Sequence, residues 1–208
     1  MTELILQVRD LTIGYNDRTL YGEISFDIFQ GDFILLCGAN GSGKTTLLKT
    51  LAGRHKNVET IMVPTRIPKI KGFTLKEFIS LSCAKFTGSD PEMAMDMLSI
   101  SDLAERDIST LSDGEFQKAT IAAALARRAD IILLDEPTAF LDAGNRRMVL
   151  QNLKEICSRT GTAIIFSSHD LHESISVCSK VIALGADGVC RCTDKDMEEV
   201  VSTIFAKH

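Results

Sequence analysis

One glycine-rich stretch constrains this chain more than any other feature: Gly38-Ala39-Asn40-Gly41-Ser42-Gly43-Lys44-Thr45-Thr46. It follows an apolar run over residues 33–37 and leads into residues 47–52, which have a helical composition. A strand, a glycine-rich turn and a helix in this order are the context that the phosphate-loop pattern G-x-x-x-x-G-K-[ST] requires. The glycines allow backbone angles that direct several N–H groups toward one anion at the start of a helix. The stretch therefore predicts binding of a nucleoside triphosphate, the alternative being a chance glycine-rich turn.

The same loop supplies the candidate nucleotide-binding residues. Lys44 is expected to reach the β- and γ-phosphates, and the Thr45 hydroxyl is expected to bind Mg²⁺. The remaining candidates around the phosphates are Gly38, Asn40, Gly41, Ser42, Gly43 and Thr46.

The composition limits the classes of function. The 208 residues, 45% hydrophobic and 25% charged, suit one globular domain over residues 1–208 with a small subdomain. A net charge of −5 argues against nucleic acid as the main partner, because no basic excess is present to neutralise phosphates. No apolar run approaches the ~18 residues that a membrane helix needs, and Met1-Thr2-Glu3-Leu4 lacks a signal-peptide pattern. We therefore expect no direct membrane insertion, and any membrane contact through a partner.

The six cysteines are scattered, without C-x-x-C spacing. Four of them lie in contexts typical of small buried hydrophobes: Cys37, Cys83, Cys157 and Cys178. Cys190 and Cys192 alternate around Arg191, as on one face of a short strand, and are too few for a metal site. Reduced thiols in the cytosol fit this pattern best.

The N-terminal region is predicted to form a β-rich layer. Residues 4–8 and 11–13 have the composition of short strands, broken at Arg9-Asp10. Residues 14–17 are predicted to form a turn, and residues 25–29 alternate polar and apolar like a half-buried strand. Tyr15 would lie at the tip of the turn, free to contact a ligand.

A helical region is predicted after the phosphate loop. Residues 60–63 have the pattern of a strand, and a loop punctuated by proline and glycine follows. Apolar residues then fall at helical spacing: Leu75, Phe78, Ile79 and Ala84. Pro91 suits the first turn of a further helix, where its missing N–H has no cost. This pattern predicts a helical subdomain, approximately residues 72–112, inserted into the core.

The second half alternates helix and strand patterns. Residues 116–128 are strongly helical and end in Arg127-Arg128, which would oppose the helix dipole. Strands are predicted at 130–134, 163–166, 180–184 and 189–192, with helices at 146–160 and, capped by residues 193–196, to about residue 206. The predicted fold class is α/β: a phosphate-loop NTPase core with an N-terminal antiparallel β layer and an inserted helical subdomain.

Three candidate catalytic groups follow the predicted buried strands. Asp135-Glu136 ends an all-apolar run and His169 follows another, and α/β folds bind ligands at the carboxyl ends of their strands. An acid after four aliphatic residues is the Walker B pattern, in which Asp135 holds Mg²⁺ and Glu136 polarises an attacking water. His169 is expected to orient the reacting groups. The alternatives are a carboxylate pair that only caps a loop and a structural histidine.

The motifs together resemble those of the ATPase subunit of ATP-binding cassette (ABC) transporters, over nearly the whole chain. Residues 38–46 resemble Walker A, and residues 131–137 resemble Walker B with its catalytic glutamate. The other matches are residues 111–115 (Leu-Ser-Asp-Gly-Glu) with the family signature, 139–142 (Ala-Phe-Leu-Asp) with the D-loop, His169 with the switch histidine and Tyr15 with the aromatic that stacks on adenine. Because all of them occur in family order, the resemblance is specific.

The resemblance implies a mechanism with ATP and Mg²⁺ as cofactors. Two ATPase domains would meet head to tail and enclose two ATP molecules, and membrane permease subunits would be their partners. Each chain would contribute signature residues to the ATP of the other: Ser112, Asp113, Gly114 and Glu115, with Asp142 in the D-loop. A cytoplasmic chain, peripheral on the inner membrane through the permease, is implied. Residues 111–115, 135–142, 145–146 and 168–174 are similar to those of iron–siderophore, haem and cobalamin importers.

Three departures from the family pattern bear on this expectation. Thr65 stands where the family has a glutamine that contacts Mg²⁺ and reports to the permease, and threonine is shorter and has no amide. The segment between Lys44 and Thr65 is also short for the family, so a β-hairpin after the phosphate-loop helix is expected to be missing. In the signature, Asp113 replaces a common glycine, and we expect its carboxylate to point away from phosphate.

Two other classes of function stay open. A degenerate ABC protein could bind ATP as a regulator with little hydrolysis, a reading that Thr65 favours and Glu136 opposes. A soluble ABC ATPase outside transport is the second alternative, although such proteins usually carry insertions or tandem cassettes that this chain lacks.

Overall fold

The computed structural model describes residues 3–15, 18–54, 58–86 and 88–205. Its strands are β1 (Leu4–Tyr15), β2 (Arg18–Phe29), β3 (Phe33–Gly38), β4 (Thr60–Val63), β5 (Ile131–Leu134), β6 (Ala163–Ser167), β7 (Lys180–Leu184) and β8 (Cys190–Thr193). Its helices are α1 (Lys44–Arg54), α2 (Leu75–Cys83), α3 (Pro91–Met97), α4 (Asp113–Leu125), α5 (Ala143–Thr160), α6 (Leu171–Val177) and α7 (Met197–Phe205). Two 3-10 turns, Ser101–Leu103 and Ile108–Thr110, lie between α3 and α4.

The central sheet has six strands in the order β4-β5-β6-β3-β7-β8. The first five are parallel, and β8 pairs antiparallel with β7. A two-stranded antiparallel sheet, β1-β2, forms a separate layer. The predicted α/β class is confirmed. Because β3, β5 and β6 are neighbours, their carboxyl ends place the glycine-rich loop, Asp135 and His169 at one edge of the sheet.

The alternation of side chains along β3 divides the core into two layers. Phe33, Leu35 and Cys37 pack into a cluster formed mainly with the helices α2 to α7. Ile34 and Leu36 face the opposite cluster, which contains the apolar sides of β1, β2 and α1. All six residues of β3 are buried. The strand is apolar throughout because a parallel strand covered on both faces has no solvent side.

The N-terminal layer differs from its prediction. The expected break at Arg9-Asp10 is wrong: β1 is continuous, and a register shift between Val8 and Leu11 accommodates the irregular residues. Asp10 has a φ of 49°, which is typical of a bulge and lets pairing resume on the far side. Tyr15 belongs to β1 and pairs with Arg18, so the turn is shorter than expected. Residues 16–17 and the Tyr15 side chain, with its predicted adenine contact, lie outside the described part of the chain.

Local signals position the helices that follow. Thr74 caps α2 with a capping box to Glu77, and Asp90 caps α3 ahead of Pro91. The apolar stripe of α2 is buried at Leu75, Ile79 and Cys83, whereas Ala84 lies at its C-cap and is exposed. The boundaries of the subdomain, approximately 72–112, stay a prediction.

Helix α4 is shorter at its end than predicted. It stops at Leu125, so Arg127 and Arg128 lie beyond its last turn, and the Arg127 guanidinium lies 4.3 Å from the centre of the Phe86 ring instead. Helix α4 contacts α2, α3, β4 and β5. Its alanine-rich middle is buried because small side chains let these elements approach closely.

The cysteines and the segment before α7 can be compared with their predictions. The four cysteines predicted to be buried are buried, and Cys192 on β8 is exposed. Thr193 accepts a hydrogen bond from the Lys195 N–H and not from α7, so the predicted cap differs in detail. Among the residues that the structure describes, no helix is long and apolar enough to cross a membrane.

Candidate nucleotide site

The glycine-rich loop connects β3 to α1 and depends on glycine at particular positions. Gly41 and Gly43 have φ angles of 76° and 97°, in the region that favours glycine. A Cβ atom on Gly43 would lie 3.1 Å from a methyl of Leu20. A Cβ on Gly38 would lie 2.6 Å from Ser42 Oγ and 2.9 Å from the Leu184 carbonyl oxygen. The backbone of the loop therefore lies as close to its surroundings as only glycine permits.

Lys44 lies folded over the loop at the first residue of α1. Its side chain is 7% exposed, and Nζ donates hydrogen bonds to the carbonyl oxygens of Gly38 (2.9 Å) and Ala39 (3.1 Å). Burial lowers the pKa of Lys44, opposed by the negative charges of Glu136 and Asp135. A partly desolvated ammonium held by neutral carbonyl groups can exchange these bonds for those of an anion.

Asp135 receives two side-chain hydrogen bonds at the end of β5. Thr45 Oγ donates to one carboxylate oxygen and Ser167 Oγ donates to the other, each at 2.8 Å. The residue is 7% exposed. Each oxygen of this buried carboxylate therefore has its own hydrogen-bond donor, and both oxygens have fixed directions.

Glu136 and His169 lie together at the same edge. Glu136 Oε1 lies 2.5 Å from His169 Nε2, and the Glu136 N–H donates to Ser167 Oγ at 2.8 Å. Glu136 has a φ of 52°, a strained value for a residue with a side chain. The pair lines a cavity of about 240 Å³, and His169 also lines a cavity of about 220 Å³ with Gly38, Ala39 and Asn40. The structure thus brings the loop, Asp135, Glu136 and His169 together as predicted.

The oxygen atoms of Thr45 and Asp135 suit Mg²⁺. This cation prefers hard oxygen ligands and usually takes one or two carboxylates along with substrate phosphates. A hydroxyl and a carboxylate oxygen 2.8 Å apart, beside an anion-binding loop, fit that preference. Within the described ranges there is no cluster of three or more His, Cys, Asp or Glu side chains, so no separate all-protein metal centre accompanies them.

The signature residues occupy the start of α4. Ser112 is the N-cap: its hydroxyl accepts from the Glu115 N–H (3.2 Å), and Glu115 Oε2 accepts from the Ser112 N–H (2.7 Å). These bonds with Ser112 lower the pKa of the Glu115 carboxyl. The Asp113 side chain is 72% exposed and pairs with Lys69 Nζ at 2.8 Å, which lowers the Asp113 pKa. Its predicted direction relative to a partner's phosphate stays a prediction.

The D-loop packs directly behind the signature. A Cβ on Gly114 would lie 3.0 Å from a methyl of Leu141 and 3.3 Å from the Phe140 carbonyl oxygen. Asp142 caps α5 and accepts hydrogen bonds from the backbone N–H (2.9 Å) and side-chain amide (2.7 Å) of Asn145, which lower its pKa. Within the chain, Asp142 is therefore a helix cap, and its role at an interface stays a prediction.

Thr65 lies between the strand that precedes Asp135 and the signature helix α4. It follows β4, whose Val63 carbonyl oxygen accepts the Asp135 N–H at 2.9 Å. Thr65 also lines a cavity of about 410 Å³ together with Asp113 and Phe140. The position is thus within reach of both the Asp135 strand and the signature helix, although its role toward Mg²⁺ stays a prediction.

Sequence reasoning missed three residues that shape this site. Ser167 forms hydrogen bonds with Asp135 and Glu136. Lys69 forms an ion pair with Asp113. Arg146 forms an ion pair with Asp170, the residue after His169. The one available signal was Ser167, a hydroxyl at the end of an otherwise apolar strand. Lys69 carries no local signal, and Arg146 is singled out only through the family resemblance of residues 145–146, because the partners of both lie far along the chain.

Comparisons with known proteins place the chain in a family of ATP-binding proteins. A family model described as ABC transporter matches residues 21–139. The zinc import ATP-binding protein ZnuC of Jannaschia sp. (strain CCS1) is 30% identical over 201 residues, covering 91% of this chain and 82% of the relative. The aliphatic sulfonates import ATP-binding protein SsuB 1 of Streptomyces avermitilis is 31% identical over 194 residues, covering 88% and 74%.

A solved structure supports the fold. The ADP conformation of MJ1267, an ATP-binding cassette of an ABC transporter, superimposes with a TM-score of 0.82 and covers 100% of both chains. The sequence identity is 18%, so this likeness concerns the fold alone.

Proposed function

The chain belongs to the ABC transporter family of ATP-binding domains, which are ATPases, and from this premise we propose that it is the ATP-hydrolysing subunit of a membrane importer. One juxtaposition carries the proposal. The hydrogen bond between Thr45 and Asp135 and the contact between Glu136 and His169 lie together at the sheet edge that holds the glycine-rich loop. Binding and water activation would thus share one site.

Nucleotide binding follows from the loop and the start of α1. The N–H groups of the loop and the positive end of the helix dipole favour the β- and γ-phosphates. Lys44 would exchange its bonds to the Gly38 and Ala39 carbonyl oxygens for phosphate oxygens. Ser42 Oγ is buried and has no hydrogen-bond partner among the described residues, so a phosphate oxygen would satisfy it.

Thr45 and Asp135 would hold Mg²⁺, which when bound neutralises charge on the β- and γ-phosphate oxygens. Glu136 would accept a hydrogen bond from the attacking water and direct its oxygen to the γ-phosphorus, while the bond to the bridging oxygen of ADP breaks. His169 Nε2, 2.5 Å from Glu136 Oε1, would keep that carboxylate facing the cavity. A positioned base of this kind contributes ~10²–10⁴-fold to the rate.

The proposed assembly is a head-to-tail dimer. Ser112 and Gly114 lie at the N-terminus of α4, where free N–H groups and the helix dipole favour a phosphate. We propose that this end meets the γ-phosphate bound by a second copy. Asp113, tied to Lys69, would leave that phosphate without a facing carboxylate.

The transported substrate is the most specific part of the proposal. The relatives are named for import of zinc and of aliphatic sulfonates. By analogy with them, this chain would belong to an importer complex, at the cytoplasmic face of a membrane. Residues 111–115, 135–142, 145–146 and 168–174 favour the iron–siderophore, haem and cobalamin group, which these relatives' names do not include. Permease subunits recovered with the tagged chain from membranes of its host would identify the cargo class.

A regulator that binds ATP without hydrolysing it is the second candidate, favoured by Thr65 in place of glutamine. Phosphate release and nucleotide binding in the wild type and Glu136→Gln decide between the two. The motor predicts at least a ~10²-fold lower rate in Glu136→Gln with binding retained, because only water activation is lost. Binding without hydrolysis in the wild type, with the permease present, would contradict it. A variant Thr65→Gln that is no faster than the wild type would show that Thr65 does not limit turnover.

A further inference from the structure

Ser167 occupies the point where three parts of the site meet. It is the last residue of β6, the strand between β5 and β3, and it is 0% exposed. Its hydroxyl donates to Asp135 Oδ1 at 2.8 Å and accepts from the Glu136 N–H at 2.8 Å. One hydroxyl therefore bridges the carboxylate and the backbone of two consecutive residues on the neighbouring strand.

We propose that Ser167 is a positioning residue for ATP hydrolysis, which sets the Mg²⁺-binding face of Asp135 and the direction of Glu136. The inference rests on the proposed function. Ser167 acts through its hydrogen bonds to both residues.

The direction of the two hydrogen bonds is fixed by chemistry. An ionised carboxylate only accepts, so the single hydroxyl proton must point to Asp135. The lone pairs of Ser167 Oγ are then free for the Glu136 N–H. With Ser167 on Oδ1 and Thr45 on Oδ2, the carboxylate plane is held from both sides.

The bond to the Glu136 N–H has a second consequence. Glu136 adopts a φ of 52°, which a residue with a side chain keeps only where its surroundings enforce it. A hydrogen bond to a buried hydroxyl on the adjacent strand provides such a restraint. The restrained backbone directs the Glu136 carboxylate to His169 rather than to solvent.

Burial alone does not make a serine of this molecule link two other residues by hydrogen bonds. Ser174 on α6 is also 0% exposed, yet its hydroxyl has no partner among the described residues. The two serines thus offer the same chemical change at equal burial, with and without the bridge. Ser174→Ala is the matched control for Ser167→Ala.

The experiment compares the wild type, Ser167→Ala and Ser174→Ala in phosphate release and in Mg²⁺ titrations of fluorescent ATP-analogue binding. For Ser167→Ala we expect a rate lower by about 10- to 100-fold, since hydrogen bonds to charged groups contribute on that scale. The Mg²⁺ concentration for half-maximal binding should rise by a similar factor, whereas binding in EDTA should be unchanged. Ser174→Ala should match the wild type in all three measurements.

Ser167→Thr keeps the hydroxyl on a strand that suits a β-branched residue, and should restore the Mg²⁺ dependence. Folding of every variant is checked by thermal unfolding. A folded Ser167→Ala with wild-type rate and Mg²⁺ dependence overturns the proposal. So does a rate loss with an unchanged Mg²⁺ titration, because a merely structural role would produce it. A wild type that is inactive even with the permease present contradicts the proposed function instead, and the Mg²⁺ titration then still tests Ser167.

Discussion

The two halves of the proposed nucleotide site, the glycine-rich loop and the signature, are built in opposite ways. On the loop side, Asp135 and Ser167 are buried and linked by hydrogen bonds of 2.8 Å that reach Thr45 and Glu136. On the signature side, Ser112 and Asp113 are exposed, and their bonds are a helix cap and a surface ion pair. The loop side is held by buried contacts within one chain, whereas the signature side is an exposed helix start, as the proposed contact with the ATP of a second copy requires.

The difference has an energetic basis. Buried hydrogen bonds to charges are hard to replace, since losing one leaves an unsatisfied group in a low-dielectric interior. An exposed ion pair is worth little because water and salt compete with it. Substitutions on the loop side should therefore change folding stability and ATP binding together, whereas those on the signature side should change stability modestly and leave ATP binding to the isolated chain unchanged.

The largest effect is expected for Gly38→Ala. The new methyl would lie 2.9 Å from the Leu184 carbonyl oxygen, a backbone atom that cannot move aside, and 2.6 Å from Ser42 Oγ. We expect a loss of about 1–3 kcal/mol in the free energy of unfolding, as for overpacking, together with loss of ATP binding. Chemical denaturation and nucleotide titration measure the two.

Gly53→Ala is the control for this variant. It lies in α1, and its added methyl has no atom within 4 Å. It should gain roughly 0.5–1 kcal/mol, because alanine is the better helix former. If Gly38→Ala were as stable and as tightly ATP-binding as Gly53→Ala, the close packing assigned to the loop would be wrong.

An intermediate effect is expected for Ser112→Ala on the signature side. Loss of an N-cap costs about 1 kcal/mol, which lowers the melting temperature by roughly 2–4 °C in a chain of this size. ATP binding to the isolated chain should be unchanged, because the loop lies elsewhere. Ser202→Ala, an exposed serine within α7, is the control and should leave the melting temperature nearly unchanged.

ATP binding distinguishes the two sides in this variant. A Ser112→Ala protein that binds ATP much more weakly as a monomer would place the signature in the chain's own site. The proposed division between the two halves would then fail.

The smallest effect is expected for Asp113→Asn, which removes the ion pair with Lys69. Lys69 holds the pKa of Asp113 below its usual value, so the pair stabilises the fold above the ordinary carboxyl pKa of ~3.9. That stabilisation is lost as the pH falls through the lower folded pKa. The difference in melting temperature from the wild type should therefore be small at pH 7 and vanish both at pH values well below 3.9 and in 1 M salt.

Asp102→Asn changes an exposed aspartate of the same region and should not alter the melting temperature. A salt-independent loss in Asp113→Asn, larger than that of Ser112→Ala, would mean that the signature is held as firmly as the loop side. The comparison between the two halves would then have to be abandoned.

Much of the fold follows from local patterns. The bounds of β4 and β7 agree with their predictions because short apolar runs between turn signals have little freedom. The break in β1 was predicted wrongly, since sequence cannot distinguish a bulge that preserves pairing from an end of a strand. Helix α4 ends earlier than its composition indicates, because the chain turns into the left-handed conformation at Arg128, whose φ is 53°.

The sequence by itself determined the class of site. The glycine-rich loop, the apolar strand before Asp135 and the order of the motifs are local or periodic signals, and each carries its own chemistry. From them follow an α/β core, a phosphate-binding loop and the candidate groups Glu136 and His169 on the same edge.

Only the tertiary structure decided how these groups are held. Ser167 lies 32 residues from Asp135, and Lys69 lies 44 residues from Asp113. Such bonds depend on distances and angles set by strand order and helix packing, to which no short sequence pattern is sensitive. The motifs therefore indicate the candidate side chains, and the packing of the sheet determines which atoms these side chains contact.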